Sequence, residues 1–316
     1  LMKKELVVLI GPTAVGKTKL SIDLAHKLNA EIISGDSMQI YRRMDIGTAK
    51  ITTEEMEGIP HHLIDIKDPD ESFSVAEFQE IVRPLIDEIH ARNKIPMIVG
   101  GTGLYIQSVV YDYQFADIPQ DLEYRLEMDQ FLEQNGVDLL HAKLQEVDPA
   151  AAERIHKNNS RRVIRALEIY HCTGLTMTEY IEKQEQEQLY NASIIGLTMD
   201  RDVLYERINK RVDIMMEQGI VHEVNQLYDD GIKDCQSIQA IGYKEFYDYF
   251  DGRVTLEEAV HNLKQNSRRY AKRQLTWFRN KMDVTWFDMT PPLQYEEKLN
   301  EILHYVAGKL KLKSNT

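Results

Sequence analysis

Residues 5–18 read ELVVLIGPTAVGKT. An aliphatic run from Glu5 to Ile10 delivers the chain directly into Gly11, Pro12, Thr13, Ala14, Val15, Gly16, Lys17 and Thr18. This is the spacing of a phosphate-binding loop. Its glycines let the backbone turn tightly with N–H groups aimed inward, and the helix that follows offers its positive end to an anion. Lys17 adds a point charge, and Thr18 offers a hydroxyl to a phosphate-bound Mg²⁺. An ordinary strand–turn–helix corner would also use glycines. The strand in front and the amphipathic continuation through Leu20, Leu24 and Leu28 favour the phosphate loop.

Working outward, further strands are expected at 31–34, 61–66, 95–99, 194–199 and 284–287, with helical patterns between most of them. Alternation of this kind predicts an α/β fold of the phosphate-loop NTPase type, a mostly parallel sheet covered by helices, with ligands at the carboxyl ends of the strands. That places three segments on one rim: the phosphate loop, the run GDSMQIY at 35–41 and the run GGTGLY at 100–105. From 119 to 188 the strand signal stops. Helical patterns at 122–134, 137–145, 150–156 and 161–172, the last closed by Gly174, predict a small all-helical insertion. The expected division is a catalytic core of residues 1–118 and 189–316 and a helical domain of residues 119–188, with EKQEQEQ at 182–188 as a polar connection.

With 316 residues, 43% of them hydrophobic, the chain can bury a large core. Its apolar runs are strand-length, well short of the roughly 20 residues that span a bilayer. No signal peptide is legible, and Cys172 and Cys235 make neither a disulfide framework nor a zinc site, so a cytoplasmic protein is expected. A net charge of −13 argues against indiscriminate nucleic-acid binding. The stretch 264–281 is different: it holds Lys264, Arg268, Arg269, Lys272, Arg273, Arg279 and Lys281, no acid, and interleaved Tyr270, Trp277 and Phe278. Either a solvated helix face or a nucleic-acid surface fits it.

Asp36 follows the second strand. It could help organise Mg²⁺ through water, act as a general base, or simply cap a turn beside Ser37. The amide of Gln39 has the donor and acceptor that suit an adenine edge. Thr102 sits in a glycine-rich turn with its hydroxyl available to a phosphate or a reacting group. Arg161 or Arg162 shares a helix face with Arg165, for nucleic-acid phosphates or for a salt bridge to Glu168. Arg207 and Arg211, four residues apart, could grip a diphosphate or pair with Glu206 or Asp213. His61 and His62 are adjacent on a strand, point to opposite faces and make no metal site.

Taken together, GPTAVGKT at 11–18, SGDSMQIYRRMDIGTAK at 34–50, HHLID at 61–65, GGTGLY at 100–105, RRVIRALE at 161–168, LYERINKRVD from Leu204, AIGYKE at 240–245 and KRQLTWFR at 272–279 closely resemble the bacterial tRNA dimethylallyltransferases, also called tRNA isopentenyltransferases. The resemblance spans nearly the whole chain. It implies transfer of a five-carbon allyl group from dimethylallyl diphosphate to N6 of the adenosine beside the anticodon in certain tRNAs, with Mg²⁺ as cofactor and diphosphate as leaving group. No phosphoryl group moves. It further implies that Asp36 takes the amine proton, that Ser37, Met38 and Gln39 line the base pocket, and that Thr102 and Arg125 contact tRNA near the reacting nucleotide. The anticodon stem-loop would be held by Arg161, Arg162, Val163, Ile164 and Arg165 and by Ala240, Ile241, Gly242, Tyr243, Lys244 and Glu245. No zinc is expected, since the zinc-finger extension of eukaryotic relatives has no counterpart here, and one tRNA could be handled by a monomer.

Overall fold

A computed structural model describes residues 2–113, 120–183 and 187–310. The chain divides into two compact units, Leu1–Val110 with Gln188–Thr316, and Tyr111–Glu187. The boundary at Pro119 and part of the polar run 182–188 lie outside the described residues.

The first unit is built on β1 (Glu5–Ile10), β2 (Ala30–Ser34), β3 (His61–His62), β4 (Ile95–Gly100), β5 (Asn191–Thr198) and β6 (Thr285–Asp288). They form one sheet in the order β3-β2-β4-β1-β5-β6, with every pairing parallel. β1 lies in the middle, Val8 opposite both Ile98 and Ile194. Leu6 to Ile10 are completely buried, which is why this run is aliphatic on both faces rather than alternating. Each such side chain contributes about 1.5–3 kcal/mol by leaving water. The third strand is shorter than expected. Leu63 and Asp65 adopt left-handed backbone angles, φ 64° and 56°, so the extended conformation ends after His62.

The helices of this unit are α1 (Lys17–Leu28), α2 (Val75–Ala91) and α3 (Gly103–Val110), and those of the second unit are α4 (Leu122–Val147), α5 (Pro149–Arg154), α6 (Ser160–Thr173) and α7 (Met177–Lys183). After β5 the first unit continues with α8 (Arg201–Gln218), α9 (Ile220–Asp229), α10 (Lys244–Phe250), α11 (Leu256–Lys281) and α12 (Tyr295–Leu310). On one face of the sheet Leu20 and Leu24 of α1, Leu204 and Ile208 of α8 and Ile302 and Val306 of α12 share a core with Val7, Leu9, Ile195 and Leu197. On the other, α2 lies against β4 and α3. A capping box starts α2, with Ser74 Oγ accepting from Glu77 N at 3.1 Å and Glu77 accepting from Ser74 N at 2.9 Å.

In the second unit the expected helices at 122–134 and 137–145 form a broken α4, interrupted at Gly136 (φ 82°, ψ 172°). Met128, Leu140, Leu144, Val163, Ile164 and Leu167 make its core. Gly174 ends α6 in the left-handed conformation, φ 70°. No described helix is long and apolar enough to cross a membrane.

Candidate active site

The carboxyl ends of β1, β2 and β4 deliver the phosphate loop, Asp36 and the GGTG turn to one rim of the sheet. Ala14 (φ 66°) and Gly16 (φ 110°) turn the loop so that α1 starts at Lys17. The Lys17 ammonium folds back across the loop, donating to the carbonyls of Gly11 (2.8 Å) and Pro12 (2.9 Å). Burial, joined by the positive charge of Arg211 and only partly offset by Asp36, pushes Lys17 down to about 7. From α8, Arg207 Nε donates to the Ala14 carbonyl (3.1 Å) and Arg211 Nη1 to Thr13 Oγ1 (3.2 Å). Neither takes Asp213, which pairs with Lys264 at 2.7 Å. Burial and the neighbouring Arg207 charge also lower the Arg211 guanidinium. Arg211 depresses Lys17 and Arg207 depresses Arg211, so these cations around inward-turned amides form a site that an anion would relieve. The Thr18 side chain is exposed, and no protein group among the described residues engages its hydroxyl.

Asp36 does cap a turn. Its Oδ1 accepts from Met38 N (2.8 Å) and Gln39 N (3.2 Å). Among the described residues no protein group hydrogen-bonds Oδ2, and Asp36 lines the cavities described below. Burial raises its carboxyl above the usual range, opposed by those two N–H groups and by the charges of Lys17 and Lys50. Thr102 Oγ1 accepts from Ser37 N at 3.0 Å, which ties the GGTG turn to the Asp36 loop. Gln39 departs from its expected part. Its Nε2 donates to the Thr48 carbonyl (3.1 Å) and its Oε1 accepts from Ser34 Oγ (3.4 Å), so the amide braces the loop instead of presenting both groups to a base.

Two cavities meet here. One of about 190 Å³ is lined by Thr13, Gly16, Lys17, Thr18, Asp36, Arg207 and Arg211; the other, of about 300 Å³, by Asp36, Ser37, Met38, Ile208, Val212, Met215, Ile241 and Leu263. Thr13, Asp36, Thr48, Ala49, Arg211 and Tyr270 line both. The arrangement sets a cationic anion cradle beside a partly apolar chamber, with a carboxylate at their junction.

The basic run 264–281 lies on α11 and splits by face. Ala271, Gln274 and Phe278 are buried, whereas Lys272, Arg273, Arg279 and Lys281 are exposed. Gln274 accepts from Thr13 N (2.9 Å) and donates to the Gly101 carbonyl (3.1 Å), joining the phosphate loop to the GGTG turn. Trp277 lies so close to Gly103 that a Cβ there would come within 2.2 Å of its ring. Sequence reasoning did not single out Gln274; the 271, 274, 278 spacing of an amphipathic helix was the available signal.

Several expected contact residues have structural partners of their own. In 240–245, Tyr243 is completely buried and Glu245 nearly so, accepting from Gly242 N and Asn266 Nδ2, each at 2.8 Å. Ile241 and Lys244 are the members of this segment that reach the larger cavity with side chains part-exposed. In the helical unit Val163 and Ile164 are core residues, which removes their side chains from any surface. Arg125 binds the buried Glu168 through two hydrogen bonds (2.8 and 3.0 Å), and Arg165 binds the same carboxylate. Burial pushes the Glu168 carboxyl up, but these guanidinium groups and the Asp121 N–H outweigh it and hold it low. Arg161 and Arg162 stay exposed.

The IPP transferase family profile matches residues 39–281. Over 99% of its length the chain is 69% identical to a tRNA dimethylallyltransferase of Bacillus cereus, covering 98% of that protein. A full-length tRNA isopentenylpyrophosphate transferase of Bacillus halodurans superposes with a TM-score of 0.76 at 60% identity, over 99% of this chain and 98% of that one. A eukaryotic dimethylallyltransferase acting on tRNA gives 0.80 at 33% identity, over 94% of this chain and 77% of that one.

Proposed function

The chain belongs to the tRNA dimethylallyltransferase (IPP transferase) family, prenyltransferases that modify tRNA, and from that membership we propose that its donor is dimethylallyl diphosphate and its target the N6 of adenosine 37, 3′-adjacent to the anticodon, in tRNAs reading codons that begin with U. The products would be N6-(dimethylallyl)adenosine and diphosphate. The observation that supports this reading is the junction at Asp36, a residue that lines both the cationic cradle and the partly apolar chamber.

In this mechanism the loop amides, Lys17, Arg207 and Arg211 hold the diphosphate. As N6 attacks the allylic carbon, the carbon–oxygen bond breaks and its electron pair leaves with the diphosphate, whose growing charge the preorganised cations stabilise. Asp36 Oδ2 takes the N6 proton, a task suited to a carboxylate whose pKa burial has raised. Ile208, Val212, Met215 and Leu263 would surround the five-carbon chain and exclude water. Among the described residues no three His, Cys, Asp or Glu cluster as metal ligands, so Mg²⁺ would rest mainly on the diphosphate, with Thr18 as protein ligand and Asp36 through water. When bound it would offset leaving-group charge.

The target adenosine must leave its stack to reach such a chamber. We assign contacts with the anticodon stem-loop to Ser37, Met38 and Thr102, to Ile241 and Lys244, and to the arginines of the helical unit, with Arg161 and Arg162 the most accessible. Incubation of tRNA with allyl-labelled dimethylallyl diphosphate, and separately with γ-labelled ATP, tests the reaction class. Label entering tRNA from the allyl donor alone is expected; label entering an acceptor only from ATP would mean a kinase.

A further inference from the structure

The Asp36 loop is held from behind by a residue outside the cavity. Glu223, on α9, receives four donors. Its Oε1 accepts from Asp45 N (3.2 Å), Gly47 N (3.3 Å) and the Tyr243 hydroxyl (2.6 Å), and both oxygens accept from Ile46 N, Oε2 at 2.9 Å. The Tyr243 ring closes the same turn, since a Cβ on Gly47 would lie 2.5 Å from it. Three consecutive N–H groups and a hydroxyl converging on one side chain are best met by an ionised carboxylate, which only accepts and makes charge-assisted bonds, rather than by a neutral amide that brings donors of its own.

From this turn the contacts run forward into the cavity. Gly47, Thr48 and Ala49 line the chamber that contains Asp36. The Thr48 carbonyl accepts from Gln39 Nε2 (3.1 Å), and Gln39 N donates to Asp36 Oδ1 (3.2 Å). We infer that Glu223 is a positioning residue for the prenyl transfer: with Tyr243 it fixes the 45–48 turn, and through Thr48 and Gln39 it aims the Asp36 carboxylate. This rests on the proposed role of Asp36. It also gives the AIGYKE segment a mechanical task, because Tyr243 belongs to it. Among the described residues neither Glu223 nor Tyr243 hydrogen-bonds the phosphate loop, Arg207 or Arg211, the groups that would hold the diphosphate, although Thr48 and Ala49 of the turn also line the cradle.

The test compares Glu223→Gln and Tyr243→Phe with the unaltered chain, reading steady-state prenyl transfer to tRNA, thermal melting and amide hydrogen exchange of the 45–48 peptide. Glu223→Gln keeps the shape but turns an amide N–H₂ toward backbone donors. It is expected to speed exchange at 45–48 and to lower kcat about 10- to 100-fold, the range of losing hydrogen bonds to a charged group, with KM for dimethylallyl diphosphate within twofold. Tyr243→Phe, which keeps the ring on Gly47, is expected to show the same split more weakly. Faster exchange with an unchanged kcat would reduce Glu223 to a structural strut and overturn the inference, as would unchanged exchange. A large rise in donor KM would overturn it too, by placing the effect in the cradle. If the unaltered chain forms no prenylated tRNA, the proposed function fails instead, and the exchange comparison still decides whether Glu223 holds the turn.

Discussion

Replacing Lys17 by Arg and counting protons taken up on diphosphate binding isolates the electrostatics of the cradle. In the ligand-free chain Lys17 is pushed down to about 7 by burial and by Arg211. A bound diphosphate adds negative charge beside it and favours the ammonium. If that restores the pKa to about 9, then at pH 8 the free site is about one-tenth protonated and the complex about nine-tenths, an uptake of about 0.8 proton. At pH 6 both states are protonated and the uptake falls to about 0.1. By linkage, affinity weakens about 25-fold between pH 7 and pH 9. Arginine stays charged throughout this range, so Lys17→Arg lacks the effect. Calorimetry in two buffers of different ionisation enthalpy reads the uptake, and diphosphate's own titration cancels in the difference between the two proteins. Equal uptake by both at pH 8 would refute the placement of a neutralised Lys17 against the ligand. The stability of the free chain runs the opposite way with pH. Between pH 7 and the ordinary lysine value of 10.5 the unfolded chain binds a proton that the folded one releases, so stability rises with pH through that window.

Three other outcomes are expected. Asp36→Asn lowers the single-turnover rate of prenyl transfer about 10²- to 10⁴-fold, and a near-normal rate would take the general-base role from Asp36. Glu168→Gln leaves Arg125 and Arg165 without their buried counter-charge and costs about 3 kcal/mol, read as a lower urea midpoint for the unit containing α4 and α6; an unshifted midpoint would show that solvent already screens the pair. Arg162→Glu raises the KM for tRNA and flattens its salt dependence with no change in melting temperature, whereas an unaltered salt slope would remove this exposed arginine from the RNA-binding surface.

The sheet was legible because β1 is buried on both faces and writes that burial as the unbroken run LVVLI, while β2, β4 and β5 carry shorter apolar cores at 32–33, 97–99 and 194–195. The edge was not: at β3 the pairing stops where Leu63 and Asp65 turn left-handed, which a run of mixed residues does not announce. In the site, the phosphate loop is local chemistry, a pattern of glycines with Lys17 and Thr18, and it reads directly. Arg207 and Arg211 were visible as an i, i+4 pair, but their partners, Ala14 and Thr13, lie almost 200 residues away, and no spacing rule reaches that far. Arg165 read either as a phosphate contact or as a partner of Glu168, and the family resemblance made Arg125 a tRNA contact. The i, i+3 pair of Arg165 with Glu168 forms as the spacing allowed, but only the packing of α4 on α6 shows that Glu168 is buried and that Arg125 binds it too. Glu223 is the extreme case, one of 51 acidic residues with no motif around it, its importance created by backbone N–H groups at 45–47.

The reaction itself is tested most directly by digesting tRNA to nucleosides after incubation with the protein, Mg²⁺ and dimethylallyl diphosphate, and weighing the products. The account predicts a single new nucleoside, adenosine heavier by one dimethylallyl group carried on N6, located 3′ to the anticodon and absent without the donor. Unmodified adenosine at that position, or a prenyl group elsewhere in the tRNA, would contradict it.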